Sequence, residues 1–308
     1  MTNIQVSVII VNYNTKKLLK DCLHSIYNQT KDITFEIIVS DNNSTDGSIE
    51  MLQIDFPSVI IIKNEKNLGF GAANNRALDI AKGKYIFYLN SDTILLNNSI
   101  KLFYDYFESH EKEHIGALGS MLLDSNQQFI HSGDNFPSIH TEVRDLFKQL
   151  LINLYLTIGT IFKLKQKPKS HIYNEYYGPI DYISGADIFL KNNKFARFDE
   201  DFFLYFEETY LQYLMAKNNL NRYIIEGPKI IHLCGGSIIE GINISRKASV
   251  SRINYEFSRI KFLRKISQNN PFSTKFIIAF CKFLILLSWS NPLIIKKTHV
   301  HFKTLLHL

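Results

Sequence analysis

Three apolar runs in the N-terminal part of the chain each end at polar side chains, and this pattern predicts a sheet with a ligand site at one edge. The runs are Val6 to Val11, Phe35 to Ser40 and Tyr85 to Leu89. Continuous apolar runs are typical of buried parallel strands. The polar residues that follow them are Asn12, Asp41 to Ser48 and Asn90 to Thr93. Because open α/β sheets bind ligands outside the carboxyl ends of their strands, we expect these side chains to face a ligand.

Between the predicted strands, apolar residues recur at helical spacing. The first hundred or so residues are therefore predicted to alternate strands and helices as a βαβ series. Lys16 to Asn28 is predicted as a helix, and further helices are predicted from Ser48 and over Ala72 to Ala81, with another strand at Val59 to Lys63. The first helix has its apolar side chains at the amphipathic period, namely Leu18, Leu19, Cys22, Leu23 and Ile26. The series predicts an α/β class with right-handed crossovers.

The later part of the chain gives weaker patterns. A helix is predicted at Thr141 to Lys163, followed by a polar linker at Lys165 to Glu175. Phe276 to Ile295 is apolar, but Ser288 and Ser290 to Pro292 interrupt it. Its unbroken part is shorter than the ~20 apolar residues that a bilayer span requires. We therefore expect an interfacial or packed helix pair there.

The net charge, the cysteine content and the N-terminal sequence limit the possible kinds of partner and site, but they do not identify one. The net charge is +6, and its excess is concentrated late in the chain, between Arg246 and Lys265. Such a cluster attracts phosphates, nucleic acid or anionic lipid, but a solvated helix face explains it equally well. Three widely spaced cysteines indicate neither a disulfide framework nor a zinc site. The N-terminus has no signal-peptide pattern, which predicts a cytoplasmic location.

The position of Asp92 indicates which kind of ligand binds at the strand ends. It follows the Tyr85 to Leu89 strand and is flanked by small polar residues. A carboxylate in this position suits a hard divalent cation that is held by one or two carboxylates together with substrate phosphates. The pattern indicates a nucleotide diphosphate, although a lone Asp after a strand is usually a helix cap.

Five motifs, taken in order, resemble those of the family-2 inverting glycosyltransferases, especially the bacterial rhamnosyltransferase-like branch. They are Val8 to Asn14, Asp41 to Ser48, Asn67 to Asn75, Leu89 to Asp92 and Phe203 to Glu208. The resemblance runs from about Ile4 to about His232, with a weaker tail to about Lys265. It implies a GT-A (nucleotide-diphospho-sugar transferase) fold, a mainly parallel Rossmann-like sheet flanked by helices.

The same resemblance implies the domain organisation. Residues 1–245 would form the catalytic domain, with a nucleotide-sugar-binding half at 1–115 and an acceptor-side half at 116–245. Residues 246–308 would form a basic and apolar helical C-terminal extension. We expect this extension to dock on the membrane through its basic residues and through one apolar helix face, made by Phe276, Ile277, Phe280, Phe283, Leu284 and Leu287. The rival is that this face packs on protein.

The donor site implied by the resemblance collects the polar and glycine residues of these motifs. Asp41 would accept the imide N–H of a uracil or thymine ring, while Asp46 would cap a helix; a turn is the alternative for the whole segment. The predicted nucleotide-sugar-binding residues are Asn12, Tyr13, Asn14, Asp41, Asn43, Asn67, Gly69, Gly71, Asn74, Arg76, Asn90, Ser91 and Gly185.

Gly69 to Asn74 also nearly matches the dinucleotide fingerprint, which would indicate a dehydrogenase. The context disagrees, because Asn64 to Leu68 separate the first glycine from the preceding strand and Asn74 replaces the third glycine. In the glycosyltransferase interpretation the glycines admit the donor and Asn74 supplies hydrogen bonds. Arg76 would help to neutralise the diphosphate, or it is a surface arginine.

The base comes from the Phe203 to Glu208 motif. His232, together with the Gly235 to Ser237 motif, resembles the family's late His-x-x-Gly-x-Ser element, although a lone histidine is more often structural. Asp92 and His232 are the predicted ligands of Mn²⁺ or Mg²⁺, and an imidazole suits Mn²⁺ better. Glu208 is the predicted general base with Glu207 beside it, where the family usually has Glu-Asp, and Tyr210 replaces a further acid. A solvated acidic helix start is the alternative.

The sequence therefore predicts a metal-dependent inverting glycosyltransferase. It would move a sugar from a UDP- or dTDP-sugar, with dTDP-rhamnose among the donors, to a hydroxyl of a bacterial cell-surface glycan or lipid-linked oligosaccharide. We expect no nucleic-acid partner, and peripheral contact with the inner face of the cell membrane and a homodimer are left open. The alternative is an inactive homologue that binds a sugar nucleotide or a glycan.

Overall fold

The computed structural model describes residues 3–161, 173–233, 249–267 and 271–308. The Gly235 to Ser237 motif after His232, the basic residues Arg246 and Lys247, and most of the predicted polar linker lie outside the described residues. The chain divides into two compact units. The first comprises Met1–Phe136, His171–Phe203 and Glu207–Ile238, and the second comprises Pro137–Ser170, Leu204–Phe206 and Ile239–Leu308.

The strands belong to the first unit, and most of them form one sheet in the order β3-β2-β1-β4-β10-β6-β11-β8. The strands are β1 Val6–Asn12, β2 Phe35–Asp41, β3 Ile60–Lys63, β4 Tyr85–Leu89, β5 Thr93–Leu95, β6 Ile115–Gly119, β7 Gly133–Asp134, β8 Gly178–Pro179, β9 Tyr182–Ile183, β10 Asp187–Lys191, β11 Asn221–Ile224 and β12 Ile230–His232. Strands β1 to β4 pair in parallel, and so do β6 and β11, whereas β10 runs antiparallel between β4 and β6. The predicted mainly parallel sheet is confirmed.

The helices predicted from Lys16, Ser48, Ala72 and Thr141 are all present, together with others. They are α1 Lys16–Gln29, α2 Ser48–Asp55, α3 Phe70–Leu78, α4 Ser99–Ser109, α5 Ile139–Ile161, α6 Glu207–Lys217, α7 Val250–Ile266, α8 Pro271–Trp289, α9 Ile295–Thr298 and α10 Phe302–His307. Helices α1 to α4 and α6 belong to the first unit, and the others to the second. Helix α3 begins two residues before its predicted start, because Gly69, at φ 85°, ends the preceding loop.

Both faces of the sheet are covered, which explains why its strands are apolar at successive positions. Along β1, Ile10 joins one buried cluster with Phe87 and Phe189. Its neighbour Ile9 joins a second cluster, with Tyr88. Successive side chains of a strand point to opposite faces, so a run that is apolar throughout needs a packed layer on each side. The polar residues at the strand ends follow these apolar layers, and Asn12 and Asp41 are themselves buried.

The second unit contains a buried ionic cluster. Arg259 lies 2.6 Å from Glu142 and 3.1 Å from Glu256, and Arg252 also pairs with Glu256. The side chains of Arg259, Glu142 and Glu256 are each at most 7% exposed. Since a buried charge is costly without a partner, the alternation of signs is what makes this arrangement tolerable.

Helix α5 belongs to this second unit, although the sequence placed it in the acceptor-side half. Leu146 of α5 and Ile278, Leu284 and Ile285 of α8 are buried in one apolar cluster. The sequence pattern shows that α5 has an apolar face, but it does not show which segment covers that face. Among the described residues, no helix is both long enough and apolar enough to cross a bilayer.

Candidate active site

Asn12 and Asp41 meet at the carboxyl edge of the sheet. Strands β1 and β2 pair in register there, with Asn12 opposite Asp41. The Asn12 amide donates to Asp41 Oδ2 at 2.6 Å, and the backbone N–H of Ser44 donates to Asp41 Oδ1 at 2.8 Å. The Asp41 carboxylate is 2% exposed. Each of its oxygens has capacity for a further hydrogen bond, so the carboxylate can still accept an N–H from a ligand.

The loops that follow β1 and β2 are joined by side-chain hydrogen bonds. The backbone N–H of Asn14 donates to Ser44 Oγ at 2.9 Å, and Asn14 Oδ1 accepts from the backbone of Thr45 at 2.8 Å. Asn14 and Asn43 both have positive φ angles, of 53° and 65°, a conformation that asparagine tolerates better than most residues. Tyr13 immediately precedes Asn14 and is 49% exposed, so its ring is available to a ligand.

Asp46 stabilises the starts of two helices with one carboxylate. Its Oδ2 accepts from the backbone N–H of Lys16, the first residue of α1, and its Oδ1 accepts from the N–H and hydroxyl of Ser48, the first residue of α2. Burial opposes ionisation of this carboxyl, but the hydrogen bonds from Ser48 and Lys16 outweigh it and lower the pKa of Asp46. The geometry agrees with the capping role predicted for this residue.

Gly69 lies where no side chain fits. Its φ of 85° is in the left-handed region, and an added Cβ would lie 2.1 Å from the carbonyl oxygen of Phe203. The backbone N–H of Gly69 donates to Asn67 Oδ1 at 2.9 Å, and the next N–H, of Phe70, donates to the same Phe203 carbonyl at 2.9 Å. The Asn67 to Gly71 loop is thus held against the segment that leads to α6, where the predicted base lies.

The other predicted residues of this loop separate into buried and exposed ones. Gly71 faces Phe198, 3.0 Å from a hypothetical Cβ. The Asn74 amide donates to the Phe70 carbonyl of its own helix at 3.1 Å and is 1% exposed. Arg76 is exposed on α3. Burial of Asn74 favours a role in supporting the loop, whereas Arg76 is free of the core and can turn towards an anion.

Asp92 and His232, the two predicted metal ligands, lie together. His232 is the last residue of β12 and is paired with Thr93 of β5, so strand pairing brings its ring beside Asp92. His232 Nε2 lies 3.2 Å from Asp92 Oδ1, and the two side chains are 17% and 14% exposed. Asn90 and Ser91 line the same turn, with the Asn90 amide 3.5 Å from His232 Nε2 and Ser91 Oγ 2.9 Å from Thr15 Oγ1.

This pair fits a divalent ion that also takes ligands from a substrate. Two neighbouring ligands of an octahedral ion with bonds of about 2.1 Å lie about 3 Å apart, close to the observed spacing. Among the described residues, no group of three or more His, Cys, Asp or Glu side chains is placed to hold a metal. Asp92 and His232 would therefore leave most coordination positions to diphosphate oxygens and water.

Glu207 and Glu208 begin α6, and the first is the more buried of the two. Glu207 is 3% exposed, and its Cβ lies near Gly71. Glu208 is partly buried and runs alongside Gly185, where an added Cβ would contact its Cγ at 3.5 Å. Adjacent residues of a helix point in different directions, so the two carboxylates occupy different environments. The missing side chain of Gly185 leaves room for Glu208. The backbone of Gly185 is not in the left-handed region that favours glycine.

Burial raises the pKa of Glu208, and hydrogen bonds from its own backbone and from Thr209 offset part of that rise. A raised pKa makes the ionised carboxylate a stronger base at neutral pH. Tyr210, which stands where the family has a further acid, packs its ring against Phe202 at 5.6 Å and Tyr213 at 6.2 Å. An aromatic side chain therefore takes the place of that acid.

Gln212 is a buried residue of the site that sequence analysis missed. Its amide accepts from the N–H of Ile183 at 2.8 Å and donates to the Ile183 carbonyl at 2.8 Å. The same Nε2 donates to the Glu208 carbonyl at 3.1 Å, and the residue is fully buried. Gln212 thus fixes α6 to β9, two residues before Gly185. The only sequence signal was a glutamine one helical turn after Glu208.

Asp187 is a second buried carboxyl near the site. It is fully buried on β10, and its Oδ2 accepts from the N–H and hydroxyl of Ser120 at 2.8 and 2.6 Å. Burial raises the pKa of Asp187 to about 7, and the Ser120 hydrogen bonds and the charge of His232 offset part of the effect. Because Asp187 does not reach the surface, we regard it as a structural residue and not as the base.

Comparisons with known proteins show which proteins the chain resembles. Residues 7–150 match the family model described as Glycosyl transferase family 2. An uncharacterized glycosyltransferase of Methanocaldococcus jannaschii is 40% identical over 109 residues, which cover 34% of this chain and 38% of that protein. The poly(ribitol-phosphate) beta-glucosyltransferase of Bacillus spizizenii is 32% identical over 114 residues, covering 35% of this chain and 18% of that protein. The chain thus matches well under half the length of both relatives.

The fold has a counterpart among solved structures. The crystal structure of GalNAc-T7 with UDP, GalNAc and Mn²⁺ aligns with a TM-score of 0.55 at 13% identity, covering 82% of this chain and 47% of that chain. At this identity the likeness shows the fold alone. The rhamnosyltransferase-like branch stays a prediction. Residues 7–150 are thus similar to glycosyl transferase family 2, and the chain has a GT-A fold.

Proposed function

We propose that the protein is a metal-dependent inverting glycosyltransferase. It would move a sugar from a UDP- or dTDP-sugar to a hydroxyl of a bacterial cell-surface glycan or lipid-linked oligosaccharide. The observation that carries the proposal is the convergence of Asp92 and His232, 3.2 Å apart, beyond the carboxyl end of β4. A strand-end pair of this kind is suited to a cation that bridges to phosphates.

The nucleotide would lie along the polar edge made by β1, β2 and β4. Asp41 retains capacity to accept the imide N–H of a uracil or thymine, and Asn12 holds that carboxylate in place at 2.6 Å. Tyr13, which is half-exposed, would pack on the base. Asn90 and Ser91 would lie beside the donor between the base and Asp92.

The diphosphate would be held by the metal site. Asp92 and His232 would bind Mn²⁺ or Mg²⁺, which when bound supplies positive charge for the departing diphosphate. Arg76, exposed on α3, is the basic side chain that we assign to the same anion. Mn²⁺ is the better match because imidazole suits it more than Mg²⁺.

Glu208 would remove the proton of the acceptor hydroxyl. Its carboxylate is partly buried beside Gly185, and burial raises its pKa towards the range in which a base acts efficiently. The hydroxyl would attack the anomeric carbon from the side opposite the leaving diphosphate. A single displacement of this kind inverts the anomeric configuration.

The choice of acceptor class rests on relatives and not on the geometry. The Bacillus relative is named as acting on poly(ribitol-phosphate). An acceptor with hydroxyls on a bacterial surface polymer is therefore consistent with the fold and the site. The donor sugar, including dTDP-rhamnose, and a homodimer stay predictions.

The alternative is an inactive homologue that binds a sugar nucleotide without transferring the sugar. Two observations motivate it: Glu208 stands where the family has Asp, and Asn90 stands where the metal motif has an acid. The Glu208 side chain is one methylene longer than that of Asp, so its carboxylate lies farther from the backbone. The alternative predicts donor binding without turnover.

The test is release of nucleoside diphosphate from a panel of UDP- and dTDP-sugars with Mn²⁺. Thermal shift first identifies the donor, because a ligand of the native state raises the melting temperature. We expect wild-type turnover that falls on Glu208→Gln, with donor binding kept, and normal turnover for the exposed α4 control Asp105→Asn. Donor binding with no release of diphosphate in any acceptor extract would favour the inactive homologue, and no donor binding would contradict both.

A further inference from the structure

Helix α5 has an apolar stripe that faces away from the core of its own unit. Six apolar side chains of this stripe are between 44% and 64% exposed. At 100° per residue they fall within about a third of the helix circumference. They are Phe147, Leu151, Leu154, Tyr155, Ile158 and Ile161. The buried side chains Leu146 and Leu156 lie on the other side of the helix. The stripe is therefore a surface, not part of the core.

Helix α8 has a matching stripe. Phe276, Phe283 and Leu287 are 74%, 57% and 47% exposed, while Ile278, Leu284 and Ile285 are buried. The exposed positions are seven and four residues apart and so share one face. Leu284 and Ile277 were assigned to this face from the sequence; Leu284 points instead into the core at 3% exposure, and Ile277 is partly covered.

The two stripes lie side by side. The Phe147 and Phe280 rings are 6.2 Å apart, and one end of the pair forms a groove of about 360 Å³ lined by Val143 and Phe276 among others. Further along, Asn153 donates to Ser288, and Asn291 donates to Thr157 Oγ1 at 2.6 Å. Since these contacts advance together along both helices, α5 and α8 run parallel. Their stripes form one apolar surface, which we call the α5–α8 face.

Charge identifies the occupant of this face. From Phe257 to Leu308 the sequence has nine Lys or Arg residues and no Asp or Glu. Lys275, Lys296, Lys297 and Lys303 are exposed. The acids of the second unit's described part are already compensated, because Glu142 and Glu256 pair with Arg259 and Asp145 lies 3.4 to 3.6 Å from Arg144 and Lys148.

An apolar surface on so basic a unit fits an anionic lipid surface better than a second copy of the chain. Two copies would bring like charges together, whereas anionic headgroups attract Lys and Arg and the acyl boundary accepts apolar side chains. Soluble monomers rarely expose contiguous apolar patches beyond a few hundred Å². Because no described helix is able to span a bilayer, the mode of binding is interfacial.

We propose that the α5–α8 face inserts into the headgroup region of an anionic bilayer, with Leu151, Leu154, Phe276 and Phe283 as its inserting side chains. The proposal goes beyond the transfer reaction and does not depend on it. It adds α5 to a surface that the sequence located in the C-terminal tail alone. It also provides a way for the domain to meet a lipid-linked acceptor.

The test is flotation of the full chain with vesicles of phosphatidylcholine containing phosphatidylglycerol, compared with vesicles of phosphatidylcholine alone. We expect binding to the anionic vesicles that weakens with added salt. The double variant Leu151→Glu with Phe283→Glu should lower the vesicle affinity by about tenfold or more. Ile54→Glu is the matched control, since Ile54 is a 77% exposed apolar residue of α2 in the first unit, and it should bind as wild type.

A milder pair, Leu151→Gln with Phe283→Gln, guards against misfolding, and the melting temperature of every variant is measured. Absence of wild-type flotation at low salt would overturn the proposal, as would equal loss of binding in Ile54→Glu. A lipid-free dimer that the Leu151 and Phe283 variants dissociate would also overturn it, because a second copy would then cover the face. Donor binding is measured by thermal shift on the same variants. Failure of the membrane proposal can then be distinguished from failure of the proposed glycosyltransferase function.

Discussion

Asp92 Oδ1 lies 3.2 Å from His232 Nε2, and the contact is made by strand pairing rather than by proximity in the chain. Strand β12 brings the histidine to β5 immediately after the turn that carries the aspartate. A metal at this point would be bound only if both segments are folded. Affinity for the ion and binding of the diphosphate should therefore depend on both residues.

Replacing either ligand should remove the metal dependence of nucleotide binding. We expect UDP or dTDP to bind wild type more tightly with Mn²⁺ than after chelation, and Asp92→Asn and His232→Ala to bind weakly with or without the ion. Isothermal titration at both conditions measures this. The control is Asp105→Asn on α4, whose side chain is 52% exposed. An unchanged Mn²⁺ dependence in Asp92→Asn would place the metal elsewhere.

The pH profile of transfer should report the ionisation of Glu208. Burial raises the pKa of this carboxyl, and a general base acts only when ionised, so kcat should rise with pH through a midpoint above the ordinary glutamate value of about 4.3. Glu208→Gln should lose ~10²- to 10⁴-fold in kcat and the acidic limb with it. Glu207→Gln should lose less. An acidic limb that persists in Glu208→Gln would show that another group is the base.

Two glycines predicted to contact the donor should respond differently to alanine. Gly69→Ala forces a side chain into a positive φ and against the Phe203 carbonyl, and should lower the free energy of unfolding by ~2 kcal/mol or more. Gly185→Ala adds only an ordinary contact with Glu208, so its stability should stay near wild type while kcat changes. Urea denaturation and turnover, measured on both variants, check this. Similar losses of stability would contradict it.

Gln212 should act on catalysis by positioning α6. Gln212→Leu keeps the volume but leaves the N–H and carbonyl of Ile183 without their partner. We expect a loss of ~2 kcal/mol or more in stability and a lower kcat with little change in donor affinity. The control is Asn218→Ala, because Asn218 is exposed and directly follows the end of α6. Full turnover in a folded Gln212→Leu protein would contradict the proposal that Gln212 positions α6.

Asp187 should make the protein less stable as pH rises. The folded-state pKa of about 7 lies above the ordinary value of 3.8, so between these values the folded state holds more protons than the unfolded state. The free energy of unfolding therefore falls with rising pH over this window. Asp187→Asn should show a smaller fall between about pH 5 and about pH 8 in urea denaturation. An identical pH dependence would indicate that Asp187 does not titrate in this range.

The sequence was sufficient for features that depend on local pattern. Helix α5 was predicted within two residues at each end, and the strand-end positions of Asp41 and Asp92 followed from apolar runs that stop at polar residues. The prediction that His232 and Asp92 bind one metal ion came from the resemblance to the family's motifs. The roles of the individual site residues stay predictions, since the geometry shows their positions and not their ligands.

The features that the sequence did not reveal depend on partners far away in the chain. The antiparallel insertion of β10 between β4 and β6 has no periodic signal, because its apolar run looks the same in either direction. The hydrogen bonds of Gln212 and of Asp187 join segments that only the fold brings together. The sequence pattern likewise predicted helix α5, but not that α8 covers its buried side.

The discontinuity of the second unit has a consequence for synthesis. Helix α5 leaves the ribosome long before α8, because α6 and α7 and several strands are made in between. At 5 to 20 residues per second this interval is on the order of ten seconds. During that time the side of α5 that contains Leu146 has none of its α8 partners, and Leu156 lacks Ile294. Nascent chains of this length should therefore be the species that engage chaperones and aggregate when chaperones are limiting.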